Sequence, residues 1–223
     1  MRTITLSITL SGKAGATKLR GHVDAGFAAP ANARLEGVAP FGKPVFVLVA
    51  NEGGTTLVLP RDQRVLRGAP PDRIVEALAG VPLGPADMRI LLAGCGFSAA
   101  APDAARAFAG GWVEAESGDA TVYLRQDNAR WYIAAARRGG MTAIYTRSTD
   151  GRPAAIRLRA VSAERVTADL TMGLSQVDVN TTLDPRTFEV EVPSDAAPLT
   201  LDELRRAGPL GGSHELRSRD PVP

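Results

Sequence analysis

Cysteine and histidine are scarce in this chain of 223 residues, and each shortage excludes a class of chemistry. Cys95 is the single cysteine, so the chain can form no internal disulfide and no thiolate metal site. We expect Cys95 to be buried and reduced, and pairing with a group outside this segment is the alternative. The two histidines, His22 and His214, leave a Ser-His-Asp relay almost without a base. No grouping of His, Asp and Glu has the spacing of a metal site.

Long apolar runs and a strong net charge are also missing. No run reaches the ~18 to 20 residues that a membrane-spanning helix needs. The sequence has no signal-peptide pattern, because Met1-Arg2 leads directly into alternating strand sequence. We therefore expect either a cytosolic protein or a segment that begins after a removed leader. The formal net charge is only +2 and the arginines are scattered along the sequence, so nothing indicates a nucleic-acid partner.

Alternation of polar and apolar residues is what the sequence does contain. TITLSITL, residues 3 to 10, puts isoleucine and leucine on one face, the period of a half-buried strand. KLRGHVDAGF repeats the pattern, and ARLEGV, PVFVLVA and TTLVLP follow as three more strands. From about residue 111 strands resume, with turn signals about every 10 to 12 residues, and FEVEVP is the predicted last strand.

Short helices interrupt and close this β pattern. GAPPDRIVEALAG and GPADMRILLAG, near residues 70 to 94, each carry proline near the start and glycine just past the end. LTLDELRRAG predicts a third helix over 199 to 206, with Thr200 and Glu203 at capping-box spacing. The polar, proline-ended residues 211 to 223 are predicted to be a disordered tail.

Together these elements predict a mainly β fold in one domain, residues 1 to 210. A sheet of about ten or eleven antiparallel strands tends to curl. If it curls without closing, it makes a half-open barrel whose concave face the short helices cover. Either the barrel holds an apolar cavity, or its own side chains fill it and the protein is a scaffold that binds nothing. The alternation does not decide which strand face points inward.

One segment imitates a dinucleotide-binding fingerprint. Gly94-x-Gly96-x-x-Ala99 follows an apolar run, and Glu116 lies about twenty residues further on. The fingerprint requires a strand before the glycines and a parallel βαβ unit around them. Here the apolar run begins with the helix-start proline Pro85. We therefore expect no nucleotide cofactor and no enzyme activity.

A proline-glycine turn carries a large apolar side chain. VAPFGKPVFVLVA, residues 38 to 50, places Phe41 between Pro40 and Gly42, and such turns usually lie at the surface. Either the loop folds back and Phe41 fills the core, or Phe41 contacts something apolar outside the protein.

Residues 34 to 94 resemble the central part of LolB, the outer-membrane lipoprotein receptor. The shared pattern is a strand, a Pro-apolar-Gly tip, an apolar strand, a glycine turn, a strand ending in LP-D and two helices. VDVNTTLDPRTFEVEVP is similar to the last strands of LolA-like and LolB-like proteins. Over most of residues 3 to 195 the chain therefore resembles a divergent member of the LolA/LolB superfamily.

The resemblance implies an incomplete barrel whose helix-covered cavity receives the acyl chains of lipoproteins and helps to insert them into the outer membrane. Pro40, Phe41 and Gly42 match the tip that contacts the inner leaflet. A periplasmic location, an anchor preceding this segment and a LolA-like carrier as partner are also implied. A carrier of another envelope lipid is the alternative. From the apolar strand and helix faces we predict these cavity and lid residues: Phe46, Leu48, Leu57, Leu59, Ile74, Leu78, Leu91, Leu92, Trp112 and Trp131.

Overall fold

The computed structural model describes residues 1–38, 44–127 and 129–208. Within them, one fourteen-stranded sheet is accompanied by three α-helices. The strands are β1 (Thr3–Ala14), β2 (Thr17–Ala28), β3 (Asn32–Val38), β4 (Val47–Asn51), β5 (Gly54–Leu59), β6 (Arg64–Arg67), β7 (Ala104–Phe108), β8 (Trp112–Ser117), β9 (Ala120–Asp127), β10 (Arg130–Arg138), β11 (Met141–Arg147), β12 (Pro153–Ser162), β13 (Arg165–Val179) and β14 (Ala197–Pro198). The helices are α1 (Pro71–Ala79), α2 (Pro85–Leu92) and α3 (Leu201–Ala207).

The sheet is curled and does not close. Its order is β14-β6-β5-β4-β3-β2-β1-β13-β12-β11-β10-β9-β8-β7, so β14 and β7 are its edges. All neighbouring strands are antiparallel except β14 and β6, and the pairing of β1 with β13 joins the first strands to the last long one. The predicted mainly β, unclosed antiparallel sheet with short helices is confirmed. The described residues form fourteen strands rather than ten or eleven, because the short β6, β7 and β14 were not predicted.

The predicted last strand, FEVEVP, is wrong. A short 3₁₀ helix, Pro185–Phe188, ends at the first residue of this segment, and the five residues after it have no regular structure. The Phe188 side chain packs against Val47 and Val49 on the outer face of β4. A side chain also satisfies a backbone group of this segment, since Asn51 Nδ2 donates to the Phe188 carbonyl at 2.8 Å. Covered on both faces, β4 therefore has a continuous apolar sequence instead of an alternating one.

One hydrophobic core fills the space between the concave face of the sheet and the helices. On α1, Ile74 and Leu78 lie one turn apart and are both buried. On α2, Leu91 and Leu92 are buried, and this helix packs against β2 and β3. The largest fully buried side chains on the sheet are Ile4, Phe27, Leu48, Leu57, Leu66, Ile156, Leu158 and Leu170.

Helix α3 is held by a capping box and by an ion pair. The Thr200 hydroxyl accepts from the Glu203 N–H, and Glu203 Oε2 accepts from the Thr200 N–H at 2.8 Å. Arg64 on β6 donates to Glu203 Oε1 at 3.0 Å and to the Pro198 carbonyl at 2.7 Å. The Thr200 N–H and the Arg64 guanidinium lower the pKa of Glu203 to about 2. These bonds attach α3 to the sheet while it packs on α1.

The hairpin between β10 and β11 depends on a glycine without a side chain. A Cβ on Gly140 would lie 2.0 Å from the Val161 carbonyl oxygen, whereas a Cβ on Gly21 would have no atom within 4 Å. We therefore expect Gly140→Ala to lower the free energy of unfolding by about 1–3 kcal/mol, the cost of forcing extra atoms into a packed site. Gly21→Ala should change it by less than about 1 kcal/mol. Urea denaturation of both variants checks this, and equal losses would contradict it.

Candidate functional site

Seven of the ten predicted cavity and lid residues are buried in the hydrophobic core. They are Phe46, Leu48, Leu57, Ile74, Leu78, Leu91 and Leu92. Leu59 is half-buried and packs against the same core. Surface clefts of about 550 Å³ and 500 Å³ lie elsewhere, with polar as well as apolar groups in their walls. In this conformation these side chains contact one another, so an acyl cavity among them requires the helices to move away from the sheet and stays a prediction.

The two predicted tryptophans lie outside this core. Trp112 on β8 is half-buried, and the guanidinium of its cross-strand neighbour Arg125 stacks on its ring at 4.9 Å. Because Ala115, three residues further along β8, faces the core, Trp112 faces the convex side. Trp131 on β10 is 51% exposed. It is two residues from Ile133, which packs against the core, so Trp131 lies on the concave side.

An apolar row on the concave face crosses the four strands at the β7 edge. Ala107 lies opposite Val113, Val113 opposite Leu124, and Leu124 opposite Ile133. Three strand spacings make this row about 14 Å long. Ala107 is exposed, and the other three side chains are partly exposed. We call these four residues together with Trp131 the apolar ledge.

The helices and the turn at Gly96 form a cover over the concave face, and the apolar ledge begins where this cover ends. The next row contains Val122 and Ala136, which are buried. The backbone of Gly96 lies over them, since a Cβ on Gly96 would be 3.1 Å from each of their side chains. One row further along the strands, side chains of the same face are open to solvent. The ledge is therefore a continuation of the core surface that is only partly covered, since a Cβ on Gly96 would lie 3.9 Å from the end of the Ile133 side chain.

A buried tyrosine holds this cover in place, and a half-buried arginine holds the strand beside it. The Tyr145 hydroxyl on β11 donates to the Leu91 carbonyl at 3.0 Å and accepts from the Gly96 N–H at 3.2 Å. Burial raises the pKa of Tyr145, so its hydroxyl stays protonated and able to donate. Arg147 donates to the Ile133 carbonyl at 2.9 Å and stacks on Tyr132 at 4.8 Å. Tyr145 thus ties α2 and the Gly96 turn to the sheet, and Arg147 fixes β10 beside the ledge.

The turn that imitates a dinucleotide fingerprint is the end of α2. The Gly94 N–H donates to the Leu91 carbonyl, and both Gly94 and Gly96 have positive φ. A helix, not a strand, therefore precedes the glycines. The prediction that Cys95 is buried is wrong: its side chain is exposed. The two glycines turn the chain so that their own backbone packs inward while Cys95 points to solvent.

Three further sequence predictions concern a metal site, a membrane-spanning helix and an apolar tip. Within the described ranges, no three or more His, Cys, Asp or Glu residues are grouped so that they could hold a metal ion. No helix in the same ranges has the length and apolar character to cross a membrane. The predicted membrane-contacting tip, Pro40, Phe41 and Gly42, lies outside the described residues. Its role stays a prediction from the sequence.

Comparison with known proteins identifies the fold. No protein-family model matches the sequence, and no curated protein matches it significantly. A LolA superfamily protein from Nitrosomonas europaea superposes with a TM-score of 0.56 at 12% identity, covering 85% of this chain and 90% of that one. A DUF1329 family protein from Desulfovibrio piger superposes with a TM-score of 0.51 at 11% identity, covering 84% and 89%. At such low identities the likeness shows the fold alone. The resemblance to the LolA/LolB superfamily is confirmed at that level.

Removing the Tyr145 hydroxyl tests how the cover is held. Tyr145→Phe leaves the Leu91 carbonyl and the Gly96 N–H without this buried partner, so we expect the free energy of unfolding to fall by about 1–3 kcal/mol. Tyr123→Phe is the matched control, because the Tyr123 hydroxyl has no protein partner among the described residues. It should change stability by less than about 0.5 kcal/mol. Urea denaturation measures both, and a neutral Tyr145→Phe would show that the hydroxyl does not hold α2.

Proposed function

We propose that this protein carries lipid acyl chains and that it accepts them on the apolar ledge. The observation that supports this is the unclosed sheet of LolA type whose concave apolar face is only partly covered. A row of apolar side chains facing water along a concave surface is suited to a narrow hydrocarbon chain. Exposed apolar surface of this kind is typical of binding sites. The ledge is also continuous with the buried residues that we predicted as a cavity.

The energetics of such a carrier need no cofactor. Each CH₂ group that leaves water gains about 0.8 kcal/mol, so a long acyl chain gains on the order of 10 kcal/mol. The ledge alone covers about 14 Å of chain. Helices α1 and α2 would have to separate from the sheet to bury the rest against Leu48, Leu57 and their neighbours. Because the chain then moves from one apolar environment to another, transfer to a bilayer is close to thermoneutral and requires no nucleotide.

The finer proposal is a LolB-like acceptor. In this role the protein would receive acylated lipoproteins from a LolA-like carrier in the periplasm and help to insert them into the inner leaflet of the outer membrane. An anchor preceding this segment would keep it at that membrane. A carrier of another envelope lipid would use the same ledge. The packed core favours a second candidate, a scaffold that binds no lipid.

Binding of an acylated lipopeptide distinguishes these functions. We expect saturable binding of the acylated form and none of the deacylated form, measured by calorimetry. Trp131→Gln should weaken binding by about tenfold, because loss of one large apolar contact costs about 1.5 kcal/mol. Ile144→Gln is the matched control, since Ile144 has the same 51% exposure as Trp131 but lies on the convex face.

Two results would contradict this proposal. If neither peptide binds, the filled-barrel scaffold is correct and the fold alone is shared with lipid carriers. If both variants weaken binding equally, the chain is bound somewhere other than the ledge.

The tip makes a separate prediction about delivery. If Phe41 enters the lipid leaflet, Phe41→Glu should slow transfer of bound lipopeptide to vesicles by about tenfold or more, the value of one buried phenylalanine. Acyl binding and the melting temperature should stay unchanged. Phe108→Glu is the control, because Phe108 is 45% exposed and lies on the edge strand β7, far from β3 and β4 in the sheet order. A large loss of melting temperature in Phe41→Glu would show instead that Phe41 belongs to the core.

A further inference from the structure

Basic side chains that are far apart in the sequence come together on the convex face. Two adjacent register rows cross the strands from β10 to β2. The first row is Arg137–Thr142–Arg159–Asp169–Lys13–Lys18, and the second is Ala135–Ile144–Arg157–Thr171–Ser11–Arg20. Six of these twelve positions are basic and one is acidic. We call them the basic rows, and they span five strand spacings, about 24 Å along the sheet.

The charges within the basic rows are not balanced internally. Asp169 makes a two-point ion pair with Arg157, at 3.0 and 2.9 Å, and the Arg157 hydrogen bonds lower the pKa of Asp169. In the part of the chain that the structure describes, no carboxylate lies within ion-pair distance of Lys13, Lys18 or Arg137. The whole chain has a formal net charge of only +2, so this excess is local.

Lys13 and Lys18 also lie directly opposite each other on β1 and β2. Like charges at such positions, with Cβ atoms about 4.5–5.5 Å apart, destabilise a sheet. Both side chains are exposed, so neither is needed to fill the core. The fold leaves this repulsion between the two lysine ammonium groups in place. Binding of an external anion would reduce it.

The basic rows lie at the end of the sheet where β3 stops. Val38, the last residue of β3, is paired with His22, and Arg20 and Lys18 continue β2 towards the same end. Val38 is exposed on the same convex face. The convex surface around the basic rows therefore includes an exposed apolar side chain beside the cations.

We propose that the basic rows bind the anionic headgroup surface of a phospholipid bilayer. The surface is a sheet face with dispersed cations and one exposed isoleucine, Ile144. It has no aromatic side chain in either row, whereas protein interfaces usually centre on buried aromatic anchors. Dispersed Lys and Arg side chains are suited to many separate headgroups, each adding to the attraction. A bilayer is therefore the occupant that this surface fits better than an acidic protein.

The face also leaves the ledge free. Arg137 is near the carboxyl end of β10 and Trp131 near its start, and the basic rows and the ledge are on opposite faces. The protein could then rest on a bilayer while an acyl chain occupies the ledge. The use of this contact in delivery rests on the proposed carrier function, but the contact itself can be measured without any acyl cargo.

Vesicle sedimentation with the cargo-free protein tests the proposal. We expect binding to phosphatidylcholine vesicles that contain phosphatidylglycerol and much weaker binding to phosphatidylcholine alone. Raising the salt from about 0.1 M to about 1 M shortens the Debye length from about 10 Å to about 3 Å and should release the protein. The triple variant Lys13→Gln, Lys18→Gln, Arg159→Gln should bind about a hundredfold more weakly, since each basic residue near the surface contributes about fivefold.

The control variant removes three positive charges outside the basic rows. Arg67→Gln, Arg130→Gln, Arg186→Gln changes three exposed arginines outside the basic rows and should retain binding within about threefold of the original protein. Equal losses in the two triple variants would show that net charge alone attracts the vesicles and would overturn the proposal. Absence of phosphatidylglycerol-dependent binding would overturn it too. Capture of polyglutamate but not of vesicles by the basic rows would replace the bilayer with an acidic protein partner.

Removing Lys13 and Lys18 relieves a repulsion, whereas removing Arg159 takes away a positive charge opposite Asp169, so the first triple variant should melt close to the original protein. A weaker binding signal then reports on the surface and not on unfolding. These outcomes are independent of lipopeptide binding. Absence of vesicle binding would not contradict the carrier function, and absence of lipopeptide binding would not contradict the membrane contact.

Discussion

A curled sheet that does not close exposes one apolar face, and this face must be covered. This large apolar face results from the pairing of β1 with β13. The pairing joins two sets of antiparallel strands into a single sheet whose concave face carries most of the core. Helices α1 and α2 cover the middle of that face, and Tyr145 ties α2 and the Gly96 turn to β11. The cover is shorter than the face, and the apolar ledge is the part that it leaves open.

The two faces of the same strands therefore have different uses. Alternation along most of the strands separates a concave apolar surface from a convex polar one, and β4, which is apolar on both faces, is an exception. On the concave side it produces the core and the ledge, on which we propose that an acyl chain lies. On the convex side the same register aligns the basic rows, which we propose rest on a bilayer. A carrier that moves a hydrophobic chain to a membrane needs both surfaces, and here they do not compete.

Local sequence signals predicted the elements with strong patterns and missed the contacts that depend on register. Alternation predicted β1 and β2, and the prolines and glycines at their ends predicted α1 and α2. The spacing of Thr200 and Glu203 predicted α3. β7 was missed because five residues rich in alanine show no alternation. FEVEVP alternates as a strand does, but it packs on a face of β4 and does not extend the sheet. The ledge and the basic rows combine residues distant in the chain, so only the strand pairing brings them together.

The position of a bound acyl chain tests the central claim most directly. A fatty acid with a photoreactive group on its chain can be cross-linked to the protein and the modified peptides mapped by mass spectrometry. The account predicts cross-links on β8, β9 and β10 around Val113, Leu124 and Trp131, all reduced by excess unlabelled fatty acid. Cross-links confined to the convex face, or unaffected by that competitor, would contradict it.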